Sequence, residues 1–394
     1  MTNSEKLHFY VSCPPGLEPM LAAEYKQLGL VRVKLKKDED NQVIHTIGED
    51  TGGMEFEGPI EHVYKANLHL RTASRVTVRL GEFKAITFAE LRKKASKFEW
   101  AKYLVPGQNV SIQVTCHKSR LYHSDAVAER ILGSIDDHFS ASGKKTVLSS
   151  EGQIILVRLV NDNCTISLDS SGELLYKRGY RQAVAKAPLR ENLAAGMIMA
   201  SGWDGVSPLI DPFCGSGTIP IEAAMMAQHI APGINRSFRF TNWPIYAKAL
   251  WTDILDQAKK QILKESPLLF GYDRDAGAIE MSKSNAARAG QKDHIQFVCQ
   301  AVSLLESPAS TGWIITNPPY GIRVSENKDL RDLYARFGSI LKQNFTTWHT
   351  SVLCNDDQLI ANMALPKPEK TIRLVNGGIS VKQLIYTPQK EQNG

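Results

Sequence analysis

The chain has 394 residues, of which 43% are hydrophobic and 22% charged, and its formal net charge is +6. This length predicts two or three domains, and the absence of any apolar run of ~18 residues predicts a soluble, cytoplasmic protein without a membrane partner. The six cysteines contain no Cys-x-x-Cys pair, which indicates reduced thiols and excludes a zinc site, so no metal is expected.

The front half of the chain alternates between strand-like and helix-like patterns. Apolar residues alternate over 7–13 and recur at helical spacing over 17–28. Further patterns predict a strand at 54–57, a helix at 60–69, a strand at 74–82, a helix at 87–99, a strand at 109–115, a helix at 122–139 and strands at 153–160 and 163–169. Strands and helices in two clusters indicate a small α+β module with a second one built on it.

Basic residues are concentrated in this front half. Between residues 65 and 130 there are 13 Lys/Arg and 5 Asp/Glu, a local excess of +8. Four of the basic residues lie on the predicted helix 87–99: Arg92, Lys93, Lys94 and Lys97. Such a cluster indicates a surface that binds a polyanion. The alternative is a set of solvated helix faces, which charge runs often are.

A strand, a glycine turn and a helix follow one another at residues 207–226. The turn is Asp211-Pro212-Phe213-Cys214-Gly215-Ser216-Gly217-Thr218. Gly215 and Gly217 permit positive φ and close backbone approach beside the free N–H groups of a helix start. The segment lacks the third glycine of the dinucleotide fingerprint and the Gly-Lys-Ser/Thr of a P-loop. Asp211 would repel a phosphate and attract an amine-bearing ligand; a purely structural strand–helix turn is the alternative.

A second strand that ends in acids follows at residues 268–275, and a helix is predicted from Ala276 to Ala289. Asp273 is placed to accept hydrogen bonds from both hydroxyls of a ribose. It follows Asp211 by 62 residues, against ~20 in a simple strand–helix–strand unit. We therefore predict an inserted element at 231–266.

The hexapeptide Thr316-Asn317-Pro318-Pro319-Tyr320-Gly321 follows the apolar run at 313–315, where a buried strand is predicted to end. The prolines fix φ and remove two backbone donors, and Asn317 is driven to an extended conformation. The result is a rigid platform that suits a flat molecule with an exocyclic amine. Asn317 and the Pro318 carbonyl would accept the protons of the amine, and Tyr320 would stack on the ring. A rigid turn that closes a strand is the alternative.

The chain beyond residue 190 alternates between strands and helices, which predicts an α/β fold with a parallel, doubly wound sheet and ligands at the carboxyl ends of its strands. Residues 371–386 predict two strands joined at Asn376-Gly377-Gly378, and Asn-Gly is the strongest short signal for a hairpin. We therefore expect an antiparallel hairpin at the edge of this sheet.

The three motifs, Asp-Pro-Phe-Cys-Gly-Ser-Gly-Thr, Gly-Tyr-Asp-Arg-Asp and Asn-Pro-Pro-Tyr-Gly, together strongly resemble those of S-adenosylmethionine-dependent RNA guanine-N2 methyltransferases that carry a THUMP domain. The segments 167–174, 178–181 and 188–194 match the connecting regions of that family. Length and motif order are most similar to the RlmL-like branch, which modifies large-subunit rRNA, in a short form with one methyltransferase domain. The tRNA-modifying TrmN branch is a close relative.

The resemblance implies a domain order: a ferredoxin-like element at 1–65, a THUMP RNA-binding domain at 66–165, a linker at 166–189 and a class I methyltransferase domain at 190–388. It implies S-adenosylmethionine as the cofactor and RNA as the partner, 23S rRNA first and tRNA second. The cofactor-binding residues that it implies are Asp211, Cys214, Gly215, Ser216, Gly217, Thr218, Asp273 and Asp275. The RNA-binding residues are Arg92, Lys93, Lys94 and Lys97, with Arg323 as a phosphate contact or a structural ion pair.

One position departs from the pattern of the family, which usually has an aspartate against the adenine amine after the third strand. This chain has Ala301 there, so Gln300 or a backbone carbonyl would make that contact. Three rival functions stay open: an adenine-N6 DNA methyltransferase, a glutamine-N5 protein methyltransferase and an RNA-binding module without activity. The basic front half argues against the first two, and the intact motifs argue against the third.

Overall fold

The computed structural model describes residues 6–32, 52–182, 189–320 and 327–388. The strands in these ranges are β1 (Leu7–Ser12), β2 (Val31–Arg32), β3 (Gly53–Gly58), β4 (Arg75–Lys84), β5 (Asn109–His117), β6 (Val147–Leu148), β7 (Gln153–Val160), β8 (Asn163–Asp169), β9 (Leu209–Asp211), β10 (Leu269–Asp273), β11 (Gln296–Cys299), β12 (Trp313–Thr316), β13 (His349–Cys354), β14 (Lys370–Asn376) and β15 (Ile379–Tyr386).

The helices in the same ranges are α1 (Glu18–Gln27), α2 (Ile60–His69), α3 (Phe88–Ala95), α4 (Ser124–His138), α5 (Glu191–Ser201), α6 (Thr218–Ala227), α7 (Lys248–Lys260), α8 (Ala276–Arg288), α9 (Asn327–Asn344) and α10 (Asp357–Asn362). Within the part of the chain that the structure describes, none of them combines the length and the apolarity that crossing a membrane requires.

The front half forms a single eight-stranded sheet in the order β2-β3-β1-β4-β8-β7-β5-β6. The long strand β4 joins its two parts, because it pairs with β1 on one side and with β8 on the other, antiparallel in both cases. The two clusters expected from the sequence are therefore continuous through one strand. β8 ends at Asp169, so residues 166–169 of the predicted linker belong to the sheet. The domain limits as a set stay a prediction.

The back half forms a seven-stranded sheet in the order β11-β10-β9-β12-β13-β15-β14. The first five strands are parallel, and β15 lies antiparallel between β13 and β14. This arrangement confirms the predicted doubly wound α/β sheet with a C-terminal antiparallel hairpin. From β9 the strand order runs to β10 and β11 on one side and to β12 and β13 on the other. The crevice between β9 and β12 is therefore the switch point at which ligands bind in such sheets.

The predicted insertion, residues 231–266, packs on the front half of the chain. The Phe240 ring stacks on that of Tyr64 with 4.5 Å between centroids. The Trp243 indole donates a hydrogen bond of 2.9 Å to Gln153. Because one hydrophobic cluster runs from the front sheet through the insertion into the back sheet, the two halves share a core.

Candidate active site

The carboxyl ends of β9 and β12 meet in the crevice. Asp211, the last residue of β9, accepts a hydrogen bond of 2.6 Å from the hydroxyl of Thr316, the last residue of β12. The two residues are 105 positions apart in the chain. The glycine turn after Asp211 and the Asn-Pro-Pro-Tyr segment after Thr316 therefore border the same crevice.

The Asp211 carboxyl is almost completely buried, and its pKa lies at about 7. Burial is the main cause, because it disfavours the ionised form. The Thr316 hydroxyl and the Phe213 amide lower this pKa, because they donate hydrogen bonds to the carboxylate. The nearby Asp273 raises it further. A carboxylate in this state gains free energy from a cationic partner, so it suits an amine-bearing ligand.

The two glycines of the turn share a backbone conformation but differ in their surroundings. Both have positive φ, +53° at Gly215 and +80° at Gly217, a conformation that side chains disfavour. A Cβ at Gly217 would also lie 3.1 Å from atoms of Phe297 and Ser282, whereas a Cβ at Gly215 would meet no atom within 4 Å. The open space at Gly215 leaves the backbone of the turn accessible to a ligand.

Asp273 holds the turn as well as ending β10. Its carboxylate accepts from the Gly215 amide (3.0 Å) and from the Asp275 amide (3.0 Å). Asp275 is the N-cap of α8 and accepts from the Gly277 amide over 2.8 Å. The structure therefore gives both acids a local role, and their predicted contacts with a cofactor stay a prediction.

The remaining side chains of the turn are directed to protein partners. Cys214 is buried, and burial, with Asp211 and Asp273 nearby, raises the pKa of its thiol, which excludes a reactive thiolate. The Thr218 hydroxyl accepts from Arg181 over 2.7 Å, and Ser216 is buried. A ligand in the crevice would therefore meet the backbone of this turn rather than these side chains.

The Asn-Pro-Pro-Tyr segment carries a buried acceptor without a donor. Among the described residues, nothing donates a hydrogen bond to the side-chain oxygen of Asn317. The Tyr320 hydroxyl accepts from the Asn376 amide over 3.1 Å, and the Pro319 carbonyl accepts from the Tyr334 hydroxyl over 3.3 Å. A buried polar group without a partner destabilises a fold, so a donor brought by a ligand would be favoured at Asn317.

Family models match three successive regions of the chain. A ferredoxin-like domain of the RlmL type covers residues 8–77, a THUMP domain 85–169 and an RMKL-like methyltransferase domain 178–385. The chain belongs to the RMKL-like methyltransferase family. The resemblance stated from the motifs is thus confirmed, whereas the guanine-N2 specificity stated with it stays a prediction.

Individual relatives cover nearly the whole chain. The ribosomal RNA large subunit methyltransferase K/L of Desulfotalea psychrophila is 34% identical over 95% of this chain and 52% of that protein. The crystal structure of SMU.472 complexed with SAH is 29% identical, with a TM-score of 0.87 over 99% of this chain and 100% of that one. A structure from Listeria monocytogenes, named as a predicted N6-adenine-specific DNA methylase, is 31% identical, with a TM-score of 0.85 over 98% and 97%. The chain spans about half the length of the curated relatives it matches.

The position that departs from the methyltransferase pattern, Ala301, is exposed and precedes a short 3-10 helix. The neighbouring Gln300 donates its side-chain N–H to the Leu304 carbonyl over 2.8 Å, and its backbone N–H to the Asp273 carbonyl over 2.9 Å. Gln300 is therefore anchored beside the carboxyl end of β10. Its contact with an adenine ring stays a prediction.

The four basic residues assigned to RNA binding have different surroundings. Helix α3 ends at Ala95, earlier than the predicted 99, because the Trp100 indole donates to the Ala95 carbonyl and closes the helix. Lys97 therefore lies beyond the helix, which corrects the prediction that one helix carries all four. Arg92 makes two hydrogen bonds of 2.7 Å to Asp137, and Lys94 pairs with Glu90. Lys93 and Lys97 are exposed.

Several residues of the crevice were not assigned from the sequence. Thr316 directly precedes the Asn-Pro-Pro-Tyr segment, Arg181 lies in the connecting Arg-Gly-Tyr-Arg segment, and Asn376 was assigned only to a turn. Arg323 lies outside the described residues. Across the described ranges, no group of three or more His, Cys, Asp or Glu side chains is placed to hold a metal ion.

Proposed function

We propose that this protein transfers a methyl group from S-adenosylmethionine to the exocyclic N2 of a guanosine in RNA, with 23S rRNA as the first candidate and tRNA as the second. The name of the relatives, ribosomal RNA large subunit methyltransferase K/L, supports the rRNA substrate. The SAH bound in the crystal structure of SMU.472 supports the cofactor. The THUMP domain supports RNA as the substrate class.

The observation that carries the proposal is the orphaned oxygen of Asn317 beside the Asp211–Thr316 hydrogen bond. The amine of guanine is a weak nucleophile because its lone pair is delocalised into the ring. By accepting its protons, Asn317 and the Pro318 carbonyl localise that lone pair and orient it. Preorganised dipoles of this kind supply much of the rate of an enzyme without a covalent intermediate.

The glycine turn and the strand-end acids fit the cofactor. When bound, S-adenosylmethionine supplies an electrophilic methyl group. Asp211 would accept a hydrogen bond from the ammonium group of the cofactor. The open backbone at Gly215 would lie against the cofactor, and Asp273 would accept hydrogen bonds from its ribose. After transfer the methylated amine loses a proton to water, so the site needs no strong general base.

A second candidate is methylation of adenine N6. The solved relative from Listeria monocytogenes, named as a predicted N6-adenine-specific DNA methylase, favours it. Adenine also has an exocyclic amine, so Asn317 and the Pro318 carbonyl would act on it in the same way. The eight-stranded front half that precedes the catalytic sheet favours a structured RNA instead.

Product analysis tests this proposal. Purified protein is incubated with S-adenosylmethionine and with 23S rRNA or tRNA from a strain that lacks the enzyme, and the nucleosides are identified by mass spectrometry. We expect N2-methylguanosine in 23S rRNA.

The control Asp211→Ala should bind S-adenosylmethionine more weakly by ~1.5–3 kcal/mol, the value of a charged hydrogen bond. N6-methyladenosine would establish the second candidate, and failure of the wild type to bind the cofactor would exclude both.

A further inference from the structure

One end of the THUMP domain presents an exposed aromatic side chain. The tip loop, residues 117–123, consists of the last residue of β5 and the connection to α4, and it includes Tyr122, whose side chain is 66% exposed. Its ring lies 4.1 Å from that of His123, measured between centroids. The other exposed residues of the loop that carry basic side chains are His117, Lys118 and Arg120. The loop contains no Asp or Glu.

The backbone of the tip loop is fixed before any ligand arrives. The Arg120 amide donates to the Asp162 carboxylate over 2.7 Å, and the Asp162 amide donates to the Ser119 hydroxyl over 3.0 Å. Leu121, next to the exposed ring, is buried in the core. A ring on a fixed loop binds with a smaller loss of conformational entropy than a ring on a loop that must first be ordered.

We propose that Tyr122 is a stacking platform for an unpaired base of the substrate RNA, and that Lys118 and Arg120 contact the phosphates beside it. The inference rests on the proposed function, since it requires RNA as the substrate. Stacking on aromatic side chains is the common way to hold a base that is not paired, and it tolerates any base. The Asp162 carboxylate lies 3.9 Å from the Arg120 guanidinium, but the loop itself contains cations and no acid, which favours a nucleic acid over a protein at this surface.

The tip loop lies beside the end of β4 that is remote from the linker. That strand begins at Arg75, which pairs with Asp169 over 2.5 Å next to the linker, and ends at Lys84. The following residue, Ala85, donates to the Asp162 carbonyl beside the tip loop. The ten residues of β4 span about 30 Å at ~3.3 Å each. The base held at Tyr122 would therefore lie about one length of β4 from the linker.

Two variants of Tyr122 and one distant control test the inference in the 394-residue chain. Affinity for a fluorescein-labelled oligoadenylate is measured by anisotropy for the wild type, Tyr122→Ala and Tyr122→Phe. Val206→Ala, which truncates another exposed apolar side chain in the catalytic half, is the matched control. We expect Tyr122→Ala to lose affinity by about 10-fold or more, and Tyr122→Phe and Val206→Ala to bind like the wild type.

The remaining outcomes separate this inference from the proposed function. SAH affinity is measured by calorimetry for every variant and should not change. If the wild type binds neither SAH nor S-adenosylmethionine, the proposed function itself is wrong. If the wild type binds SAH, either of two results contradicts the stacking site alone: the wild type does not bind the oligoadenylate, or Tyr122→Ala binds it as tightly as the wild type. A loss of affinity in Tyr122→Phe equal to that in Tyr122→Ala would also contradict it, because it would assign the effect to the hydroxyl.

Discussion

Asp211 is 2% exposed, yet its pKa of about 7 keeps a substantial ionised fraction at neutral pH. In the unfolded chain the same carboxyl has a pKa near 4. Between these values the folded protein holds a proton that the unfolded chain has lost. The stability contributed by the protonated carboxyl is therefore fully present below pH ~4, falls as the pH rises to about 7 and stays constant above it.

Asp211→Asn should reveal this pH dependence, because it removes the titrating group while an amide oxygen can still accept from Thr316. We expect the variant to be more stable than the wild type, and the difference to grow by ~2–3 kcal/mol between pH 5 and pH 8. Urea unfolding at both pH values measures it. The same variant should bind S-adenosylmethionine more weakly, because it lacks the negative charge. An equal stability difference at the two pH values would contradict the pKa of the folded state.

At the scale of elements, helix α6 carries the glycine turn at its N-terminus and is held by three arginines from outside the catalytic sheet. Arg181 donates to Thr218 in its first turn, Arg178 lies 3.6 Å from Glu222 in its middle, and Arg71 donates over 2.6 Å to the Ile230 carbonyl just beyond its end. The pattern of apolar residues predicted this helix. Its partners could not be predicted, because they lie up to 159 residues away and depend on how the two halves pack.

The β14–β15 hairpin has a second role beyond closing the sheet. Asn-Gly predicted the turn correctly, and the structure adds that Asn376 in this hairpin holds the hydroxyl of Tyr320. Nothing in local sequence links these residues, which are 56 positions apart. The hairpin therefore fixes the ring that we propose to stack on the target base.

A double-mutant cycle tests this link. Tyr320→Phe and Asn376→Ala should each slow methyl transfer by about 3–10-fold, the equivalent of one hydrogen bond, and leave cofactor affinity unchanged. Because both remove the same interaction, the double variant should be no slower than either single variant. Asn362→Ala, which removes a half-buried asparagine at the end of α10 that donates to the Gln358 carbonyl, is the matched control. Effects that multiply in the double variant would show that the hydrogen bond does not position the ring.

For the whole molecule, sequence periodicity predicted the main strands and helices of the front half and the strands that carry the three motifs, whereas α9, β13 and α10 were not predicted. The rule that parallel strands end at one edge predicted where the site lies. Three features needed the structure: the continuous front sheet through β4, the packing of the insertion on Tyr64, and the pairing of Arg92 with Asp137. Each is a contact between distant segments. The shared core also means that a catalytic half expressed alone would expose a large apolar surface.

We propose that Asn317 acts on the reacting amine at the point where the two motifs meet. Single-turnover methylation of 23S rRNA from a strain that lacks the enzyme, compared between wild type and Asn317→Ala, tests it most directly. The loss of a preorganised acceptor at a reacting centre predicts a rate lower by ~100–1000-fold, with SAH and RNA affinities nearly unchanged. If Asn317→Ala methylates at the wild-type rate, Asn317 does not act on the amine, and the Asn-Pro-Pro-Tyr segment is only a rigid turn.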